Sequence, residues 1–336
     1  MVTVRRIETI SDLEALSPGL AQLQNEAHRD LPNFRPVQAE EFVNKAKADR
    51  RWPARLLFVA EREPPSGAPE PAQSGPVGFV SVEPTWQARP GGDIYPYVGG
   101  EIVLQPSAVP AAGGDDEVQG MLLRRAMREL ASRGQQRMHV VVPTQADRLQ
   151  ALFVREGFRE HRRLLSLRAE VGAQPLSEAA ATTRAMREQD LPAVLALHNR
   201  CFTGLHKAYG WEDVRPEDVA LLQRTARTYD PRGFVVAESE QDIVGYAVVT
   251  VDEALNAEHG LSRGFFALGP LGLAASSGSP PAVSRALMLA GLTSLAALGC
   301  REAELVTEAR SGVALRFFRD LGFEPATEWL VLAARL

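Results

Sequence analysis

Leu56-Leu57-Phe58-Val59-Ala60-Glu61 and Val77-Gly78-Phe79-Val80-Ser81-Val82 return later in the chain as Phe234-Val235-Val236-Ala237-Glu238 and Val244-Gly245-Tyr246-Ala247-Val248-Val249. Runs this rich in β-branched and aromatic residues read as strands. Each pair is therefore expected to form a hairpin. The first is joined by a long loop containing Pro64-Pro65-Ser66-Gly67-Ala68-Pro69-Glu70-Pro71, which cannot continue a ladder or a helix. The second turns at Ser239 to Asp242.

Outward from the hairpins, the repeat continues. Met121 to Arg133 and Ala286 to Leu298 place apolar residues at three- and four-residue intervals, the spacing of a helix face. Each run stops at a glycine, Gly134 or Gly299, suited to a left-handed cap. A strand follows each, Met138 to Val142 and Ala303 to Thr307. A short helix then closes on Arg155-Glu156-Gly157-Phe158 or Arg319-Asp320-Leu321-Gly322-Phe323. Ser11-Asp12-Leu13 and Gln189-Asp190-Leu191 each set an N-cap-like residue before an amphipathic opening helix. Strand–helix alternation is common enough to make unrelated halves look alike. The matching order, turn residues and closing Gly-Phe pairs argue instead for a duplicated module.

With 336 residues, two cores are the default expectation. The small, polar stretch from Gly172 to Ala181 reads as the linker, giving an N-terminal domain 1–171 and a C-terminal domain 182–336. Composition is that of an ordinary globular protein, 45% hydrophobic and 24% charged. A net charge of −5 offers no footprint for phosphate backbones, so nucleic acid is not an expected partner. Cys201 and Cys300 have neither C-x-x-C nor zinc spacing, so no disulfide or metal is expected. Met1 to Thr9 alternates charge with apolar residues and lacks a signal-peptide h-region. No apolar run approaches the ~18 residues of a membrane span. The expectation is a cytoplasmic protein without a membrane partner.

The order helix, hairpin, long strand, helix, strand, short helix, Gly-Phe resembles the GNAT acyltransferase superfamily in both halves, across essentially the whole chain. The resemblance implies a mixed α/β (α+β) sheet in two tandem GNAT-like domains. Asp230-Pro231-Arg232-Gly233-Phe234 and Ala286-Leu287-Met288-Leu289-Ala290-Gly291-Leu292 are similar to the mycothiol synthase family, two-copy acetyltransferases whose C-terminal copy does the chemistry. What this implies is an acyl-CoA cosubstrate, with acetyl-CoA expected, and transfer to a small amine in a ternary complex. The fused pair supplies an internal pseudo-dimer, so a monomer is expected.

In that superfamily a glycine-rich turn at the start of the helix after the fourth strand cradles the CoA pyrophosphate. Backbone N–H groups and the helix dipole stabilise an anion there. At the matching place the C-terminal half carries Ser279-Pro280-Pro281-Ala282-Val283-Ser284, with small residues but no glycine. Ser276, Ser277, Gly278 and Ser279 add uncharged donors, while two prolines remove two. The implied cofactor set is Leu271, Leu273, Ser276 to Ser279, Ala282, Val283, Ser284 and Phe318. The N-terminal half carries Gly113-Gly114-Asp115-Asp116-Glu117-Val118-Gln119, whose carboxylates either oppose a phosphate or simply start a helix. The C-terminal half is thus the expected cofactor holder.

Catalysis is less complete. Family members place a tyrosine before the Gly-Phe pair to protonate the leaving thiolate; here those positions are Phe153 and Phe318. A thiol of pKa about 8.5 can leave unaided, so the loss slows transfer without forbidding it. Base candidates are Glu253, beside Asp252 and near His259, then Glu308, which can equally be an N-cap, and Glu101 in the N-terminal half with Tyr95 and Tyr97 nearby. Asp252, Glu253 and His259 can also be solvated loop residues. His206, Tyr209 and Trp211 fall on the implied acceptor wall, or pack the opening helices. Cys201 and His198 stand three apart on a helix, as a nucleophile and base would, or as an inert buried cysteine. The alternative to an enzyme is a degenerate pair that binds CoA, or another ligand, without turnover.

Overall fold

The two closing Gly-Phe pairs adopt one geometry. Gly157 and Gly322 take φ of 92° and 82°. Phe158 N–H donates to Phe153 O at 2.9 Å, and Phe323 N–H donates to Phe318 O at 3.0 Å. Both closing phenylalanines are buried. The glycine caps match as closely. Gly134 and Gly299 are left-handed, and the residues after them donate to Leu130 O and Leu295 O. The repeat read from the sequence is present in the backbone.

This computed structural model describes residues 2–29, 34–48, 56–62, 75–82, 93–94, 115–172, 182–201, 213–217, 219, 231–240, 242–266, 273–275, 281–309 and 312–336. By packing, the chain divides into two units: the first holds Met1–His161 and Leu330–Leu336, the second Arg162–Ala208 and Glu212–Trp329.

In the first unit β1 (Val2–Ile7), β2 (Leu56–Arg62) and β3 (Pro76–Val82) form an antiparallel sheet. Helix α1 (Ile10–His28) is capped by Thr9, whose Oγ1 accepts from Asp12 N–H, so the cap lies two residues before the expected Ser11. Helix α2 (Ala39–Ala48) packs beside it. On β2, Leu57 and Val59 join Phe79 and α1 in one core, while Phe58 and Ala60 face the other way. Strand β4 (Asp93–Ile94) runs parallel to β5 (Arg137–Pro143), with α3 (Asp115–Ser132) between them in sequence and α4 (Asp147–Arg155) after. Burial on both faces explains why these strands read as continuous apolar runs.

In the second unit β6 (Arg159–Glu170) lies antiparallel to β12 (Glu302–Glu308). β7 (Thr182–Ala185), β8 (Phe234–Ser239) and β9 (Asp242–Val251) follow as an antiparallel ladder, with Glu240 left-handed at the hairpin turn. Helix α5 (Leu191–Cys201) opens this unit and α6 (Glu253–His259) follows β9. Next come β10 (Arg263–Phe266), β11 (Leu273–Ala275), α7 (Pro281–Ala297), α8 (Gly312–Arg319) and β13 (Glu324–Arg335). Val235, Ala237, Ala247 and Val249 pack on Leu287, Met288, Leu292 and Leu295 of α7.

The units depart from the 171/182 boundary read in the sequence. Leu167 and Ala169 of β6 belong to the second unit's core, and Leu330, Leu332 and Ala334 of β13 to the first unit's. Alternating apolar residues let either strand close either core. Each half is therefore finished by a strand from the other half's sequence. Among the described residues, no helix is long and apolar enough to cross a membrane.

Candidate active site

In the second unit two strands, β10 and β12, pair in parallel. β10 pairs with β12 over Arg263–Glu302, Gly264–Ala303 and Phe265–Glu304. From Leu305 to Glu308, β12 pairs only with β6 among the described residues. Meanwhile β10 and β11 both pair with β9. Phe266 lies opposite Val249 and Leu273 opposite Ala247, although Phe266 and Leu273 are seven residues apart.

Helix α7 follows β11 and starts at Pro281, earlier than the expected Ala286. Ala282, Val283 and Ser284 are thus first-turn residues. Proline at the first helical position supplies no N–H, so the free donors of this turn are the amides of Ala282 and Val283. Neither carries charge, and the Val283 side chain itself is buried in the core. Leu273 opens β11, and Leu271 and Ser276 to Ser279 lie outside the described residues.

Phe318, on α8, is half-buried and stacks edge-on against Phe317 at 5.3 Å and Phe323 at 6.1 Å. Phe323 in turn meets Phe266 of β10 at 6.2 Å. An aromatic row therefore runs from α8 to β10. It packs in the same cluster as Val283.

Two of the carboxylates read from the sequence lie at a helix start. Asp252 is the N-cap of α6, accepting from Leu255 N–H at 3.0 Å, and Glu253 is exposed in its first turn. They are helix-start residues where a loop was expected. Glu308 ends β12 opposite Leu164, four residues before α8 begins, so it is not that helix's N-cap. Glu101, His206, Tyr209 and Trp211 lie outside the described residues. A buried carboxylate that the sequence reading missed is Glu304 on β12. Its Oε2 accepts from Arg168 Nε at 2.8 Å and lies 3.3 Å from Arg263 Nη1. The signal available was Glu302 and Glu304 alternating with Ala303 and Leu305.

Cys201 and His198 stand three residues apart in α5. His198 is fully buried with Nδ1 2.7 Å from the Tyr246 hydroxyl. Burial pushes the Cys201 thiol up, against nucleophile chemistry, and does the same to Cys300 inside the α7 core. Among the described residues, no three His, Cys, Asp or Glu side chains are placed to hold a metal ion.

At the matching helix start of the first unit, α3 begins at Asp115, so the acidic run is first-turn helix. Asp116 accepts hydrogen bonds from Arg148 and Arg155, both on α4, and Arg155 also reaches the Asp116 carbonyl. Arg148, then Arg155, hold the Asp116 carboxyl below its usual range against a smaller opposing desolvation. Gln119 is buried in α3. Phe153 is 1% exposed and packs on Phe158 at 5.2 Å.

The layout has the fold of two tandem GNAT-like modules. No family model matches the chain. A solved tandem GNAT protein from the clavulanic acid biosynthesis pathway superposes with a TM-score of 0.67 at 13% identity, covering 100% of this chain and 98% of that one. In sequence, the chain resembles mycothiol acetyltransferases. It is 29% identical over 288 residues to one from Frankia casuarinae, 80% of each chain. To another, from Amycolatopsis mediterranei, it is 32% identical over 178 residues, 51% of this chain and 57% of that one.

Proposed function

We propose that the chain is an acyl-CoA-dependent N-acyltransferase, with acetyl-CoA as donor and a small amine as acceptor, acting through the second unit. The uncharged first turn of α7, in the same unit as the parallel pair β10 and β12, is the observation that carries this reading. The Ala282 and Val283 amides suit a phosphate, and the aromatic row suits an apolar acyl end. The Ser276 to Ser279 stretch, Leu271 and Leu273 complete the proposed cofactor wall, and His206, Tyr209 and Trp211 the acceptor wall.

In the reaction the acceptor nitrogen adds to the thioester carbonyl. The C–S bond breaks and the thiolate leaves, taking a proton from water. The ammonium proton passes to water or to a carboxylate, with Glu253 and Glu308 as candidates and Glu101 only if the first unit also binds. The raised thiols of Cys201 and Cys300 favour direct transfer over an acyl-cysteine intermediate.

Calorimetric titration with acetyl-CoA, followed by thiol release across an amine panel headed by a mycothiol precursor bearing a free amine, tests this. Binding with turnover is expected. Binding without turnover on any amine leaves a ligand-binding module, and no binding removes both readings.

A further inference from the structure

We propose that an asparagine in the last turn of each unit's opening helix latches the far end of the segment that leaves the helix, making that segment an exchangeable insert on a fixed frame.

In the first unit Asn25, in the last turn of α1, accepts from Val37 N–H at 2.7 Å through Oδ1 and donates from Nδ2 to Val37 O at 3.0 Å. In the second, Asn199, in the last turn of α5, does the same with Val214, at 2.9 Å and 3.1 Å. A carboxamide carries the donor and acceptor of a peptide group, so each pair is one two-bond rung of an antiparallel ladder, made by a side chain. The helices match around it. Leu20 and Leu23 before Asn25, and Val194 and Leu197 at the same distances before Asn199, are all buried. Val37 stands two residues before α2, and Val214 two residues before Pro216 and Glu217, which are helical. The latch therefore sets where the next helix begins.

What lies between the latch points is not alike. Val37 is twelve residues beyond its asparagine and Val214 fifteen. Residues 26–36 include His28 and Phe34, whereas 200–213 include Phe202, His206, Tyr209 and Trp211. A third instance closes a shorter stretch: Asn256 of α6 accepts from Arg263 N–H at 3.1 Å and donates to Arg263 O at 2.8 Å, seven residues on. One latch thus closes three lengths, and nothing in its bonds depends on what it encloses. Asparagine suits the task because its short side chain bonds backbone outside the helix in preference to serving the helix itself. The second unit adds a further hold beside its longer insert. His198, the residue before Asn199, is fully buried with Nδ1 2.7 Å from the Tyr246 hydroxyl. The matching residues of the first unit are Gln24 and Phe79, and a phenylalanine has no hydroxyl to offer.

Amide exchange and thermal melting of the full-length chain and its variants test this. Asn25→Ala should speed exchange of the Val37 N–H about tenfold or more and leave Val214 at the parent rate; Asn199→Ala should do the reverse, since each strips the partners from one backbone N–H and C=O. Asn199→Asp, which keeps the acceptor and loses the donor, should fall between parent and alanine. Tyr246→Phe should speed Val214 exchange less than Asn199→Ala does. A chain in which residues 26–36 replace 200–213 should melt cooperatively with Val214 still protected, and adding Asn199→Ala to it should remove that protection. Should Asn199→Ala fail to fold, Asn25→Ala and Asn199→Asp carry the same expectation. Parent-like exchange at Val37 in Asn25→Ala or at Val214 in Asn199→Ala overturns the latch. Loss of folding or of Val214 protection in the exchanged chain with Asn199 in place overturns the exchangeable insert.

Discussion

The two halves share a backbone plan and differ at the two places where a cofactor would be held and a thiolate protonated. At the α3 start, Asp116 is drawn onto Arg148 and Arg155; the first turn of α7 holds Pro281, Ala282, Val283 and Ser284, with no acidic residue. Phe153 is sealed in its core, whereas Phe318 remains half-buried at the end of an aromatic row. Duplication kept the caps and closers that make the fold and let the ligand-facing positions drift apart. One half meets its acidic helix start with arginines of its own. The other has an uncharged first turn.

The sharpest way to break this contrast is charge at the uncharged helix start. Ser284→Glu should weaken acetyl-CoA binding by about 100-fold through like-charge repulsion in a partly desolvated site. Asp116→Asn should leave it unchanged; calorimetry on both variants decides, and equal effects would refute the assignment. Next is Phe318→Tyr, which should raise turnover by about tenfold, below the usual span for a general acid because the thiolate already leaves unaided. Steady-state rates between pH 6 and 9 check it. The matching Phe153→Tyr should instead cost about 1–3 kcal/mol of stability by burying a hydroxyl without a partner.

A smaller effect sharpens the likeness rather than the difference. At Gly134 and Gly299 an added Cβ meets nothing within 4 Å, so only the positive φ resists substitution. Alanine at either should cost about 1–2 kcal/mol, and by the same amount, in urea unfolding. The smallest effect belongs to Asp116. Its carboxyl is held below the usual range, so its pairing contributes stability above the unfolded pKa of about 4 and loses it as pH falls through the lower folded value. Asp116 and Arg148 are both largely exposed, so Asp116→Asn should cost less than about 1 kcal/mol at pH 7. Urea curves at pH 7 and pH 2.5 should show that difference shrinking.

What could be read from the sequence was what local chemistry encodes. Glycines needing positive φ, hairpin strands buried on both faces and the phenylalanines after the closing glycines all announce themselves within a few residues. Helix starts were harder. Asp115 to Val118 and Pro281 to Ser284 look like loop because first-turn residues are chosen for charge and for φ, not for an apolar stripe. Thr9 was passed over for Ser11 because both are capping types and only the backbone distinguishes them. The Arg263–Glu304–Arg168 cluster depended on knowing that β6 lies beside β12, a pairing between residues 136 apart in the chain. For the same reason no single strand revealed which core it completes.

The placing of Leu330–Leu336 in the first unit's core has a consequence in time. The half that is synthesised first is not the half that can be completed first. Until residues 330–336 have been made, the wall formed by β5 and the helices α3 and α4 lacks Leu330, Leu332 and Ala334, and that core stays open to solvent. A shortened chain ending before residue 330 would damage the end of the molecule that was translated earliest.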